Sequence, residues 1–409
     1  MRRKPLEIVL GLGSLALIAW GVVWAFAGRT RPALGLDRAL SLARSKRFAE
    51  AEWAVNRVLI QEPSNPAALL LAAQINLDRP DPKPREALDS LAAIPPGPKP
   101  LAAMTALQKG KAYYLIGDYQ AAESQWFEAL RLNPIIPEAG WALLDLYYVQ
   151  ARSDDARSLV RQLRLSEPDP RDRVLLLLES LRQEARPLAA PLSIARLERA
   201  LKANPDDLQS TLGLGRALIR ESRFDDALKH FQKAQKQANE RIDVWDALLT
   251  GLDDASRGEE FDQALNSLPA SLSANPAFLR HRAKAAQNHR DWPKAIELYN
   301  QARKHRRDEA ATAYRLSRAL RAMGELKGAE TVEVEVRRFE SAARDLVVLF
   351  EEALADQTIG VQPHRKLYTQ LAELCERLGR VEEAEAWNQE ASSKAPKNPE
   401  SRAALERLP

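Results

Sequence analysis

The sequence predicts an all-α fold, a solenoid of repeated helical units that follows one transmembrane helix. Three observations predict it. Of 409 residues only 6% are aromatic while alanine and leucine abound, a composition that suits helices and serves a large sheet poorly. Small residues and prolines recur at a spacing of about 34 residues. Near the amino terminus the stretch from Ile8 to Gly28 carries no charge.

Composition also removes whole classes. The 60 basic and 56 acidic side chains nearly cancel, and 45% of the chain is hydrophobic. Such a chain is neither a disordered polyelectrolyte nor a polytopic membrane protein. Length alone, at roughly 150 residues per domain, allows two or three globular domains. Cys375 is the one cysteine, so no internal disulfide and no cysteine pair for zinc exist. It reads as a small buried apolar residue.

The amino-terminal element comes first. Residues 1–5 form a basic flank and residues 6–28 a transmembrane helix or signal anchor. At about 1.5 Å per residue the uncharged stretch spans a hydrocarbon core of ~30 Å. Trp20 and Trp24 lie toward its outer end, where aromatic rings favour the interface. Ala25, Phe26 and Ala27 also fit a signal-peptidase site, but the apolar run exceeds the usual signal-peptide core. An uncleaved anchor, contacting the lipid bilayer, is the favoured reading. Arg2, Arg3 and Lys4 argue for an inside amino terminus and an extracytoplasmic remainder, while Arg29, Arg31, Arg38 and Arg44 pull the other way. Gly21 and Ala25 form a small-xxx-small pair that suits helix dimerisation.

Repeats fill the rest. Ala122 and Ala156, Pro134 and Pro168, and Ala295 and Ala329 all stand at the same interval. Asn-Pro pairs beginning at Asn133, Asn204 and Asn275 are equally spaced, slightly more than two such intervals apart. Gly110, Tyr113, Gly117, Tyr119 and Ala122 lead to Trp126, Ala129 and Pro134. Leu214, Gly215 and Leu218 lead to Phe224, Ala227, Phe231 and Ala234. Leu316 and Ser317 lead to Leu320, Gly324, Leu326 and Ala329. Leu371 and Ala372 lead to Cys375, Gly379, Val381, Ala384, Ala391 and Pro396. Weaker copies begin near Leu36, Pro66, Pro137, Arg171, Asp243 and Pro276.

These residues resemble the tetratricopeptide repeat of bacterial type, a helix–turn–helix unit. The resemblance implies a right-handed α-solenoid of about ten antiparallel helix pairs over residues 34–405. Small Gly110, Gly215, Ser317 and Ala372 let the first helix of a pair approach the second, opposite Ala122, Ala227, Ala329 and Ala384. Gly117, Gly324 and Gly379 supply the positive φ that ends a helix. Asp154 and Asp155, like Asp225 and Asp226, begin second helices, where negative charge meets the positive end of the macrodipole. They read as capping groups, not as a general acid and base.

Departures mark the segments. The first repeats, 34–100, end in a proline-rich joint: Pro80, Pro82 and Pro84, then Pro95, Pro96, Pro98 and Pro100 remove donors and disfavour helix. The main array is 101–341. Residues 342–365 read as an irregular helix and loop, within a stretch from Val332 to Gly360 that looks like a long helix followed by a loop. The final repeat and a polar cap occupy 366–409.

Catalytic motifs are not found, and the expectation is a non-catalytic protein without cofactor. Lys111 follows Gly110 but lacks the upstream glycine of a phosphate loop, and Gly213 and Gly215 sit inside a repeat helix. His281 and His289 are eight apart without a third ligand, so no metal is expected. No serine sits in a nucleophile elbow.

The resemblance places ligands along the inner faces of the first helices, in a concave groove that takes a protein or peptide. Two patches follow. One is basic: Arg280, Lys284, Arg315 and Arg318, with His281 beside them. Segment 277–321 carries twelve Lys/Arg against four Asp/Glu, and 322–356 carries four against nine. Such a field suits an acidic peptide or a carboxylate terminus; the plainer reading is a solvated helix face. The Asn and Lys set of the carboxylate clamp is not reproduced. The other patch is Lys111, Tyr114, Trp141, Asp145 and Tyr148. In one repeat frame Trp141 and Tyr148 face the groove. A one-residue shift makes them core residues and forces Asp145 into a close-packed position, where an unpaired carboxylate is costly. A membrane-anchored scaffold that assembles or recruits an envelope complex is the leading function. The alternative is polyanion or nucleic-acid binding through 277–321, against which the low aromatic content and near-neutral charge count.

Overall fold

The computed structural model describes residues 33–134, 136–167, 169–185, 188–305, 310–356, 358 and 364–393. Among them all regular structure is helical. The helices are α1 (Ala33–Arg44), α2 (Phe48–Gln61), α3 (Pro66–Asp78), α4 (Pro84–Ala92), α5 (Lys99–Ile116), α6 (Tyr119–Leu132) and α7 (Pro137–Val149). Next come α8 (Ser153–Ser166), α9 (Pro170–Ala185), α10 (Ala190–Ala203), α11 (Leu208–Arg220), α12 (Phe224–Gln237), α13 (Ile242–Asp254), α14 (Gly258–Asn266) and the one-turn α15 (Ala270–Ser273). The last are α16 (Leu279–Asn288), α17 (Trp292–His305), α18 (Ala310–Met323), α19 (Leu326–Ala355), α20 (Arg365–Arg377) and α21 (Val381–Ser393). No helix among the described residues is long and apolar enough to cross a membrane. The basic flank 1–5, the expected anchor 6–28 and the cap expected after Pro399 lie outside the described residues.

The turn inside each hairpin explains why these sequences pair. Gly117, Gly324 and Gly379 have φ of 98°, 85° and 72°, each two residues before the next helix begins. At Gly117 the amide donates to the carbonyls of Tyr113 and Tyr114, closing the end of α5. Five other hairpins place Lys46, Ala151, Ser222, Ser256 and Arg290 at the same point, with φ between 54° and 61°. The conformation is a property of the hairpin, and glycine only relieves it. The small residue of the first helix lies against an aromatic ring of the second, four residues past the alanine expected opposite it: Gly110 faces the Trp126 indole, and Gly215 faces the Phe231 ring, with no room for a Cβ at either. Asp154 and Asp155 stand in the first turn of α8 and Asp225 and Asp226 in that of α12, where their charge suits the macrodipole, but they are not the caps: the N-cap positions are Arg152 and Arg223, which pair with Asp155 and Asp226.

The chain divides into two compact units, Met1–Val149 with Ala195–Ser210, and Gln150–Ile194 with Thr211–Pro409. In the first, Leu36, Ala39, Leu40, Val55, Val58, Leu71 and Ile75 from three successive helices form one core. The prolines do not dissolve the second repeat. Pro84 sits in the first turn of the short α4, where its missing N–H costs no hydrogen bond, and Pro100 does the same for α5. They bracket a short second helix.

In the second unit, α19 is a continuous helix of 30 residues that runs through positions 341 and 342 without a break. Its distal half buries Phe339, Ala342, Leu346, Phe350 and Ala353, one stripe at steps of three and four. The stripe packs on the carboxy-terminal pair, through Tyr368, Leu371, Cys375 and Trp387, and on Val174, Leu177, Leu178 and Leu181 of α9. A mid-chain helix therefore belongs to the core of the last repeat. Arg173 pairs with Glu390 at 2.8 Å, and Arg380 donates to the Ser180 carbonyl at 3.0 Å. A stack in which each repeat touches only its sequence neighbours does not describe this unit.

Candidate partner-binding surfaces

In the first unit the polar residues of the aromatic patch are drawn together, with their charges satisfied internally. The Tyr114 hydroxyl donates to Asp145 Oδ2 at 2.7 Å, and its ring stacks on Tyr119 with centroids 4.9 Å apart. Arg196 Nη1 lies 3.4 Å from both the hydroxyl and the carboxylate, and the Tyr119 hydroxyl donates to the Arg196 carbonyl. Burial, reinforced by the Asp145 charge, raises the Tyr114 phenol well above its ordinary value; burial pushes Tyr119 up to about 12. Both rings stay protonated hydrogen-bond donors. Lys111 pairs with Asp78 at the end of α3.

The two competing frames are each half right. Tyr148 is buried, so it is a core residue and not a groove residue. Trp141 remains half-buried at the surface. Asp145 escapes the cost of burial because it is only partly covered and carries two partners. Sequence reasoning missed Arg196. It lies 51 residues from Asp145, on α10 and outside the row of first helices, with α8 and α9 between them.

In the second unit, α13, α16 and α18 are the first helices of successive hairpins. Arg280 on α16 donates to Asp246 Oδ1 at 2.7 Å and to Thr250 Oγ1 at 3.1 Å. His281 Nε2 lies 2.9 Å from the same carboxylate oxygen. An ionised carboxylate only accepts, so the ring carries its proton on Nε2. Lys284 reaches Asp253 Oδ1 at 3.0 Å, and Arg315 reaches Asp253 Oδ2 at 2.5 Å. One aspartate thus bridges cations from two later repeats. Burial lowers the His281 value, with the Arg280 charge adding to it and the Asp246 bond only partly opposing it. Burial alone raises the Asp246 carboxyl, but the hydrogen bond from His281 and the Arg280 guanidinium outweigh it and hold the group far below the usual range.

An open basic groove is therefore not what Arg280, His281, Lys284 and Arg315 make. His281 is buried, and the three cations each face a carboxylate of α13. Of the five residues of this patch, only Arg318 is exposed without an ion pair among the described residues, one turn beyond exposed Tyr314. The compensated charge also weakens the polyanion reading of segment 277–321. Asp246 and Asp253 were not singled out from sequence, although Asp246 stands 34 residues before Arg280, the repeat length itself. His289 pairs with Asp262, away from His281, and no group of three potential metal ligands occurs among the described residues.

The family model described as tetratricopeptide repeat matches residues 36–97, 107–173, 190–241 and 331–399, more than half of the chain. The chain belongs to the tetratricopeptide repeat family. Over 137 residues it is 29% identical to the cellulose synthase operon protein C of Pseudomonas fluorescens (strain SBW25), a match to 32% of this chain and 11% of that protein. The chain thus spans about a tenth of that relative. Similar solved structures include the crystal structure of the APC/C hetero-tetramer Cut9-Hcn1, with a TM-score of 0.34, 14% identity and coverage of 95% of this chain and 92% of that one. Another is Pseudomonas aeruginosa pilF, with a TM-score of 0.31, 15% identity and coverage of 61% and 97%.

The tetratricopeptide matches omit residues 242–330, which hold the whole Asp246–Asp253 ladder. Yet the hairpin turn recurs there at Ser256, Arg290 and Gly324. The helical hairpins thus continue across this stretch, with Ala295, Tyr299, Leu316, Leu320 and Ala329 buried in one core.

Proposed function

We propose that this chain is a membrane-anchored, non-catalytic tetratricopeptide scaffold that holds another protein, with its repeats on the extracytoplasmic side, in assembling or recruiting a cell-envelope complex. The observation that carries the reading is the match of four separate stretches to a repeat family whose stacked helices present long surfaces to partners. The anchor rests on the uncharged stretch Ile8 to Gly28 behind a basic flank. The name of the Pseudomonas fluorescens relative, which places that protein in a cellulose synthase operon, is in keeping with an envelope setting.

The exposed Tyr314 and Arg318 are the part of the first-helix row left open to a partner. Photocrosslinkers placed at position 314 in membranes are expected to trap a discrete protein species, and Arg318→Glu to weaken the trapping without unfolding the chain. Carbonate-resistant membrane association is expected to vanish when residues 6–28 are deleted. A carboxy-terminal reporter active only in the cytoplasm would reverse the orientation, and persistent membrane association of the deletion would remove the anchor.

A further inference from the structure

The double length of α19 opens a cleft on the side of the second helices. The second helices α12 and α17 of the same unit run fourteen residues each, and α14 only nine. Because α19 continues to Ala355, the next pair packs on its distal half, through Leu346 and Phe350. Between α17, the middle of α19 and the turn joining α20 to α21 lies a cavity of about 860 Å³.

Its lining is charged over an apolar floor. Arg303 and Lys304 come from α17, Glu335, Arg338 and Phe339 from α19, and Glu376 and Arg377 from the end of α20. Arg303 pairs with Glu335, and Arg377 with Asp345 at 3.1 Å and with Ser341 Oγ at 3.0 Å. Lys304 and Arg338 are exposed and have no ion pair among the described residues. Phe339 is buried and joins the core of the last repeat. The cations thus outnumber the carboxylates in the lining, and the two without a carboxylate stand on different helices across the cavity.

We propose that this cleft binds an acidic peptide segment of a protein partner, its carboxylates taken by Lys304 and Arg338 and an apolar side chain resting over Phe339. The volume suits a few residues, within the range of about 300–1,000 Å³ common for ligand sites. Arg338 offers a planar fork of donors to a carboxylate, and Lys304 a mobile point charge. Single-stranded nucleic acid is held by successive exposed rings on which its bases stack, whereas Phe339, the one aromatic side chain of the lining, is buried in the core. The occupant chemistry is therefore carboxylate-bearing protein and not nucleic acid. The site lies on second helices, away from the Asp246–Asp253 ladder, and it rests on the scaffold reading only in taking its occupant to be protein.

The test uses the full chain in detergent and a fluorescein-labelled ten-residue peptide of glutamates with one central leucine. Saturable binding that falls as salt rises is expected, with a loss of about tenfold or more in Lys304→Glu/Arg338→Glu. Lys202→Glu, at an exposed cation on α10 outside both surfaces, is expected to bind the peptide as the parent does. Asn300→Trp, which fills the cleft without changing its charge, is expected to weaken binding too. The proposal is overturned by absence of saturable binding, by undiminished binding to the double variant, or by tighter binding of a ten-nucleotide single strand. Crosslinking at position 314 keeps the two readings apart: partner trapping without peptide binding removes the cleft and leaves the scaffold, while peptide binding without trapping does the reverse.

Discussion

Arg280 and Asp246 stand 34 residues apart in sequence and 2.7 Å apart in space. The separation is one repeat, so the contact joins equivalent helices of neighbouring hairpins. Asp253 extends the relationship by holding Lys284 and Arg315, from the next two first helices, on its two oxygens. This row of alternating charge joins three successive repeats beside their apolar core.

Asp253→Ala is expected to destabilise the second unit by about 2 kcal/mol, because it leaves two partly covered cations facing each other without their counter-charge. Denaturant unfolding of the variant measures it. Asp253→Ala combined with Arg315→Met is expected to recover part of the loss, since the second change removes one of the stranded charges. A neutral single variant would mean the ladder is a surface ornament without energetic weight.

The pH dependence follows from His281. Its folded value is lowered, so between about 6.5 and that value the unfolded chain binds a proton that the folded chain refuses. Stability therefore falls as pH drops below about 6.5. Asp246 acts in a separate window: its folded value is depressed, so its contribution is full above about 4 and is lost only as pH falls further. His281→Gln keeps a donor toward Asp246 and is expected to remove the decline that begins below about pH 6.5 while sparing the acid limb. Melting temperatures across pH 2 to 8 separate the two.

The hairpin turn makes opposite predictions for two kinds of residue. At Ser222, Lys46 and Arg290 an L side chain is held at φ near 60°. Relieving that strain with glycine gains about 1 kcal/mol or slightly more, of which the looser unfolded chain takes back a large part. The triple glycine variant is expected to gain ~1–2 kcal/mol, since the three sites are far apart in sequence and share no partner. Gly117→Ala is expected to lose about 2 kcal/mol, because φ is 98° and the new methyl would meet the Arg199 carbonyl oxygen at 3.2 Å.

What was legible in the sequence was local. Gly117, Gly324 and Gly379 announce their turns, and Gly110 and Gly215 announce close approaches, since each conformation is set by residues within one hairpin. The Tyr114–Asp145–Arg196 cluster was half legible: Tyr114 and Asp145 fall in equivalent first helices, but Arg196 returns to them on α10, after two intervening helices. Tyr148 was ambiguous for a plain reason, as a one-residue change of helical phase turns a side chain by about 100°. The charge ladder was hidden by counting. A net excess of twelve basic residues over four acidic ones in 277–321 says nothing of Asp246 and Asp253, which lie just upstream and neutralise its inner face.

The placement of α9 leads to the last prediction. Val174, Leu177, Leu178 and Leu181 are buried beside Leu346, Leu371 and Trp387, so a helix from the middle of the chain closes the core of its final repeat. Leu181→Ala removes a fully buried side chain and is expected to cost ~3 kcal/mol. Leu165→Ala, on the neighbouring α8 and 73% exposed, is expected to change little. In a repeat array such a loss need not appear as one global transition, because neighbouring units open in part independently. Amide exchange resolved along the chain is the better measurement. If α9 belongs to the last repeat, Leu181→Ala accelerates exchange in α20 and α21, far away in sequence, and leaves α1–α3 unchanged. Faster exchange confined to α8 and α9 would detach the helix from that core and return the chain to a simple serial stack.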